Sequence, residues 1–152
     1  KYDFVKTNNR KVEHQYPTQN VQEIENLIIP AADNSVLFLW ATAPKLLEAI
    51  SVMKAWGFVY KTHAIWDKEK IGMGYWFRGR HELLLVGTKG VFSPPAEKNR
   101  FSSVIQEKRK AHSQKPEIVY AMIEKMFPKG KYLELFARKA RAGWIAWGDE
   151  MA

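Results

Sequence analysis

The 152-residue sequence predicts an α/β fold, and three features carry that expectation. Apolar runs of strand length alternate with stretches of helical periodicity, the order that builds layered α/β domains. Val36-Leu-Phe-Leu-Trp40 is a continuous apolar run between polar turns, the pattern of a parallel strand covered on both faces. Directly after it, Pro44 stands where a first helical turn accepts proline, and Leu46, Leu47, Ile50, Met53 and Trp56 repeat at helical spacing until Gly57.

The remaining elements follow in chain order. Residues 1–19 lack periodicity; Lys6 to Lys11 reads as a loop that leads into the turn His14-Gln-Tyr-Pro-Thr18. Gln19 to Leu27 is expected to form a short helix, with Thr18 as N-cap and Pro30 beyond its end. Phe58 to Trp66 is rich in aromatic and β-branched residues and is expected as a strand. A glycine-rich loop from Asp67 to Arg80 leads to a buried strand at Glu82 to Thr88, so the two strands are expected as a hairpin at one sheet edge. Lys89 to Ser113 reads as ordered loop around a short strand at Ser103 to Gln106, and loops of that length are usually functional or disordered. Pro116 opens a second amphipathic helix with Ile118, Val119, Met122, Ile123 and Met126 on its apolar face, terminated by Pro128 and Gly130. Tyr132 to Phe136 is the last strand assigned.

Composition narrows the function classes. With 46% hydrophobic and 13% aromatic residues the chain is expected to fold as one domain over residues 1–152 rather than remain disordered. It has no cysteine, which excludes disulfides and thiolate metal sites, and His14, His63, His81 and His112 lack ligand spacing. No metal is expected. No run approaches the roughly 18 apolar residues of a membrane span, and the opening residues are polar and charged rather than those of a signal peptide. A cytoplasmic setting without a membrane partner is therefore expected.

The net charge of +8 favours a polyanionic partner. The cations fall in three loops: Lys1, Lys6, Arg10 and Lys11; Arg78 and Arg80; and Lys98, Arg100, Lys108, Arg109 and Lys110. Such a distribution suits a groove that holds phosphate better than it suits a single binding helix. In the last strand, Glu134 interrupts an apolar run. It either faces solvent on a half-exposed strand or is hydrogen-bonded, and a ribose diol at the carboxyl end of a strand is a common partner in open α/β sheets.

Five segments in order, Leu37-Phe-Leu-Trp-Ala-Thr42, Tyr75-Trp-Phe77 with His81-Glu-Leu-Leu-Leu-Val-Gly87, His112-Ser-Gln-Lys-Pro116, Glu134-Leu-Phe-Ala-Arg138, and Gly143-Trp with Trp147-Gly-Asp-Glu150, resemble the MT-A family of adenine methyltransferases. That family includes the eukaryotic mRNA adenosine methyltransferases and compact bacterial and phage DNA methyltransferases, and the chain looks most like the latter. The resemblance implies a permuted Rossmann-like, S-adenosylmethionine-dependent methyltransferase fold, with a mostly parallel sheet and helices on both faces. It implies a cofactor set of Lys115 toward the cofactor carboxylate, Glu134 and Phe136 on the cofactor-side strand, Arg138 near the ribose, and Asp149 and Glu150 toward the ribose hydroxyls.

On the acceptor side the resemblance implies Tyr16 and Thr18 beside the target adenine and Glu82 near the acceptor entrance; Trp76 and Phe77 offer stacking faces, and the basic loops, with Arg78, Lys108 and Arg109, are expected to grip phosphate. Two positions depart from the family pattern: Asp149 stands where Asn is common, and Ala140-Arg141 where a His-Asn pair is common. The family's catalytic Asp-Pro-Pro-Trp would fall just before Lys1, so no catalytic residue is expected within residues 1–152, and the chain is expected to lack its N-terminal strand. The activity implied is methylation of the adenine exocyclic amine in nucleic acid, DNA ahead of RNA, by a possible homo- or heterodimer. The alternative is an inactive nucleic-acid-binding subunit of a methyltransferase complex, and a Pro-Pro-Trp upstream of Lys1 would separate the two.

Overall fold

The computed structural model describes residues 20–111 and 114–148. These residues belong to two compact units: one holds the chain up to Phe92 together with Ser103–Gln106, the other Ser93–Ser102 and the chain from Glu107 onward.

In the first unit, α1 (Val21–Glu25) is followed by β1 (Ser35–Ala41), a 3-10 turn at Ala43–Lys45, α2 (Leu46–Ala55), β2 (Val59–Asp67), β3 (His81–Lys89) and β4 (Val104–Gln106). The cap of α1 is Asn20 rather than Thr18: its side chain accepts from the Glu23 N–H while the Glu23 carboxylate accepts from the Asn20 N–H, a reciprocal capping box. Pro44 sits in the 3-10 turn that leads into α2. That helix ends as Gly57 predicts, because Gly57 adopts φ +86°, the Gly57 N–H donates to the Lys54 carbonyl and the Phe58 N–H to the Met53 carbonyl. These two bonds satisfy carbonyls that the helix end would otherwise leave open.

The sheet order is β1-β3-β2-β4. Strands β1 and β2 both run antiparallel to β3, and only β4 joins in parallel, along β2. The sheet is thus mixed rather than mostly parallel, and β1 is not a parallel strand. Nor does the β2–β3 hairpin lie at an edge: β1 and β4 flank it. The continuous apolar runs of β1 and β3 record cover on both faces, and an antiparallel strand covered on both faces reads the same way. Trp66, Leu83, Leu84, Leu85 and Ile105 are buried here. α2 packs on β1 and β2 and also on α1, where the Trp56 indole N–H donates to the Ile24 carbonyl. Gly87 is required by this packing, since a Cβ there would stand 2.6 Å from the Met53 sulfur.

In the second unit, α3 (Ile118–Met126), β5 (Tyr132–Leu135) and β6 (Trp144–Trp147) follow one another, and β5 and β6 form a separate two-stranded parallel sheet. β6 is a strand that sequence reading leaves unassigned. Among the described residues no helix is long and apolar enough to cross a membrane.

Candidate functional site

The second unit gathers polar side chains around the carboxyl end of β5. Glu134 sits on that strand, half-buried, and the Tyr120 hydroxyl donates to its Oε1 from α3. Burial and then this hydrogen bond push the Tyr120 pKa above its ordinary value. The buried-acid question is therefore answered by a partner within the chain, and among the described residues the second oxygen of Glu134 carries no hydrogen bond. Aromatic packing fixes the arrangement. Trp144 of β6 stacks on Tyr132 at 5.0 Å between ring centroids and meets Tyr120 edge-on at 5.2 Å, while its indole N–H donates to Glu124 at 2.8 Å.

Arg141 completes the cluster. Its guanidinium lies 3.6 Å from the centre of the Tyr120 ring, a cation–π contact, and pairs with Glu117 at the start of α3. Lys139 reaches the other oxygen of Glu117 at 3.0 Å, and the Glu117 N–H donates to Glu107 at 2.9 Å. At the strand end, Phe136 takes φ +57°, a left-handed conformation that costs a bulky residue energy, and its N–H donates to the Trp147 carbonyl at 2.7 Å.

These contacts set a pH dependence. The hydrogen bond from Lys139, and then that from Arg141, hold the Glu117 carboxyl below the usual carboxylate range. Because the folded pKa is depressed, the stabilisation is complete above the unfolded value of about 4.3 and is lost as pH falls through the folded value. Tyr120 has the opposite sign: its raised pKa contributes stability that is whole below about pH 10 and lost as pH rises beyond it. Glu117→Gln should flatten the acid limb of a stability–pH curve. Chemical denaturation across the pH range checks this; an unchanged acid limb would remove Glu117 from the account.

The other sequence-predicted residues are distributed as follows. Lys115 is half-buried just ahead of α3, next to the fully buried Pro116, and Arg138 is exposed beyond β5. Asp149 and Glu150, like Tyr16 and Thr18, lie outside the described residues. Lys108 is exposed, whereas Arg109 is half-buried with its Nε free of hydrogen bonds. In the first unit, Trp76 and Arg78 are exposed in the β2–β3 loop. Glu82, only 8% exposed, lies 3.7 Å from the Lys68 amine on the same hairpin. Tyr120, Glu117 and Trp144 were missed by sequence reading. Tyr120 falls within α3, one position past Val119, so a search for the apolar face passes over it.

The whole of residues 3–150 matches the MT-A70 family model. The type II methyltransferase M.MunI of a Mycoplasma species is 38% identical over 139 residues, covering 90% of this chain and 60% of that protein. The MT-A70-like N(6)-adenosine-methyltransferase of Arabidopsis thaliana is 31% identical over 147 residues, covering 90% of this chain and 21% of that protein. The human N(6)-adenosine-methyltransferase catalytic subunit METTL3 is 30% identical over 148 residues, covering 90% of this chain and 25% of that protein. The chain thus spans three-fifths of the Mycoplasma relative and about a quarter or less of the other two. With a family match that runs through both units, the chain belongs to the MT-A70 family.

Proposed function

We propose that the protein methylates the exocyclic amine of adenine in nucleic acid, with S-adenosylmethionine as donor and DNA as the favoured substrate. The observation that carries this reading is Glu134, held at the carboxyl end of β5 by Tyr120 with one oxygen left open, in a chain of this family. That is where ligands bind in open α/β sheets, and a carboxylate oxygen there suits a ribose hydroxyl. DNA is favoured because the higher identity is to a type II methyltransferase rather than to the adenosine methyltransferases.

The donor set fits the cofactor: Lys115 offers a point cation for its carboxylate, Glu134 an acceptor for its ribose, and Phe136 an apolar edge. Bound S-adenosylmethionine would supply an electrophilic methyl group on a sulfonium, for in-line transfer to the amine with the thioether as leaving group. The protein's contribution to such a step is alignment more than proton transfer. Tyr120 fixes the orientation of Glu134, and Arg141 fixes Tyr120, so the ribose contact is held before the cofactor arrives. Lys108 and Arg109 supply cations for phosphate, and a duplexed adenine must leave the stack before its amine can react.

The test uses the full-length protein, labelled cofactor and oligonucleotides of one sequence as DNA and as RNA. Label is expected in adenine, more in DNA than in RNA; transfer to another base or to none would refute the reading. Lys115→Ala should weaken cofactor binding by about 1.5–3 kcal/mol, the range for a hydrogen bond to a charged group. Calorimetry that finds full affinity in the folded variant would remove Lys115 from the site.

A further inference from the structure

The first unit carries an apolar groove where α2 meets the start of β2. It encloses about 230 Å³ and is lined by Ile50, Met53 and Lys54 of α2, by Phe58, and by Val59 and Tyr60 of β2. A β-bulge builds one wall. The pairing of β2 with β3 shifts between Tyr60 and Thr62, so Lys61 is the extra residue, and Tyr60 opposes Gly87 while His63 opposes Leu85. Gly87 and Leu85 point to the same face of β3, the face that α2 covers, since a Cβ on Gly87 would meet the Met53 side chain. The bulge thus brings Tyr60 and His63 to one face, where a regular strand would send them to opposite faces. A hydrogen bond of 2.6 Å between the Tyr60 hydroxyl and His63 Nδ1 then holds the tyrosine ring in place.

The apolar surface continues beyond the groove. Val59 is 61% exposed, and Leu47, one helical turn before Ile50 on α2, is 81% exposed. β4 pairs with β2 only over Ile65–Asp67, so among the described residues no strand lies along the outer edge of β2 from Val59 to Ala64. An apolar groove beside an open strand edge is the setting in which extended peptides dock, main chain to the edge and side chain into the groove.

Size and charge select the occupant. The volume lies below the roughly 300–1,000 Å³ of small-molecule sites, and suits the anchor side chain of a peptide better than a cofactor. No acid lines the groove, whereas Lys54 lies in it, Lys61 is exposed on the bulge beside it, and the Lys89 amine stands 5.9 Å from the centre of the Phe58 ring. A second copy docked through this same face would set these cations against one another. A nucleic-acid strand has the opposite charge, but the lining is mainly aliphatic and sulfur-bearing, and its exposed ring, Tyr60, is tied to His63 rather than free to stack.

We propose that this groove docks an acidic, extended segment of a partner protein, which sets an apolar side chain between α2 and β2, adds main-chain hydrogen bonds along the open edge of β2 and pairs its acids with Lys54 and Lys61. The groove lies at the end of the β2–β3 hairpin away from the loop that joins the two strands. The proposal does not rest on the nucleic-acid reading, and either can fail alone.

The test selects a random peptide library displayed on phage against the full-length protein, then titrates the enriched peptides, synthesised with a fluorescent label, by polarisation. Enriched peptides are expected to combine Asp or Glu with Leu, Ile or Phe. Val59→Asp should weaken them about tenfold or more, as for loss of an interface anchor. The Lys54→Glu/Lys61→Glu pair, at two exposed positions, should weaken them too and should bind copies of the same peptides in which lysine replaces the acids. If Val59→Asp fails to fold, the lysine pair decides.

No enriched peptide, enriched peptides without acids, or affinity that the lysine pair leaves unchanged would overturn the proposal. Displacement of the peptide by a single-stranded oligonucleotide, weakened by the same lysine pair, would make the groove a nucleic-acid face and overturn it as well. A wild-type dimer that the lysine pair or Val59→Asp converts to a folded monomer would assign the groove to a contact between copies instead.

Discussion

Trp66→Ala should cost about 3–5 kcal/mol of folding stability, the range for emptying a buried aromatic site. Trp66 is 1% exposed, lies in register with Glu82 on β3 and with Ile105 on β4, and meets Trp40 edge-on at 5.8 Å. Its ring thus sits where three strands converge, on the hairpin that the rest of the first sheet flanks. Removing it leaves a void lined by β-sheet side chains that cannot collapse without breaking the ladder. Urea unfolding monitored by circular dichroism measures the loss, and Trp76→Ala, at a fully solvated position, should fall within about 0.5 kcal/mol of wild type. A cost below about 1 kcal/mol for Trp66→Ala would mean that the hairpin is not the centre of the core.

For Glu134→Ala the expected result is double. Cofactor affinity should fall by about 1.5–3 kcal/mol, as for loss of a charged hydrogen-bond partner. Stability should also fall by about 1–3 kcal/mol, because the half-buried Tyr120 hydroxyl loses its acceptor. Glu134→Gln separates the two effects. Its side-chain carbonyl can still accept from Tyr120, so the fold should be kept, while the charge proposed to meet the ribose is gone. Calorimetry with the cofactor and thermal melts on both variants read these terms apart. Equal cofactor affinity in Glu134→Gln and wild type would show that the carboxylate charge plays no part in binding.

Much of the fold could be read in the residues because local signals were strong. Helical spacing from Leu46 to Trp56, a glycine that stops the helix, and the β-branched and aromatic run of β2 each stand on a few adjacent residues. Strand direction could not be read, since an apolar run such as Val36 to Trp40 reports cover on its two faces and not which way its neighbour runs. β6 escaped because Trp144-Ile-Ala-Trp147 is too short to display a period. At the site, the oddness of Glu134 was plain in the sequence, but its partner was not. Tyr120 stands fourteen residues earlier, and only the folding of α3 against the strand brings the two side chains together. Arg141 was visible as a departure from the family pattern, while its contacts with Glu117 and Tyr120 depend on a turn that no local signal specifies.

The ends of β5 and β6 are interlocked in a way that limits how this protein can evolve. Phe136 is held in the left-handed region, and Gly148, at φ +104°, leaves so little room that a Cβ there would approach the Phe136 ring to 2.9 Å. Position 148 is closed to a side chain twice over. Giving up the ring at 136 would make room for a Cβ, but the backbone angle at 148 would still strain any residue other than glycine. Position 148 should therefore stay glycine among relatives whatever stands at 136. In a library randomised at both, surviving clones should keep glycine at 148 while position 136 varies.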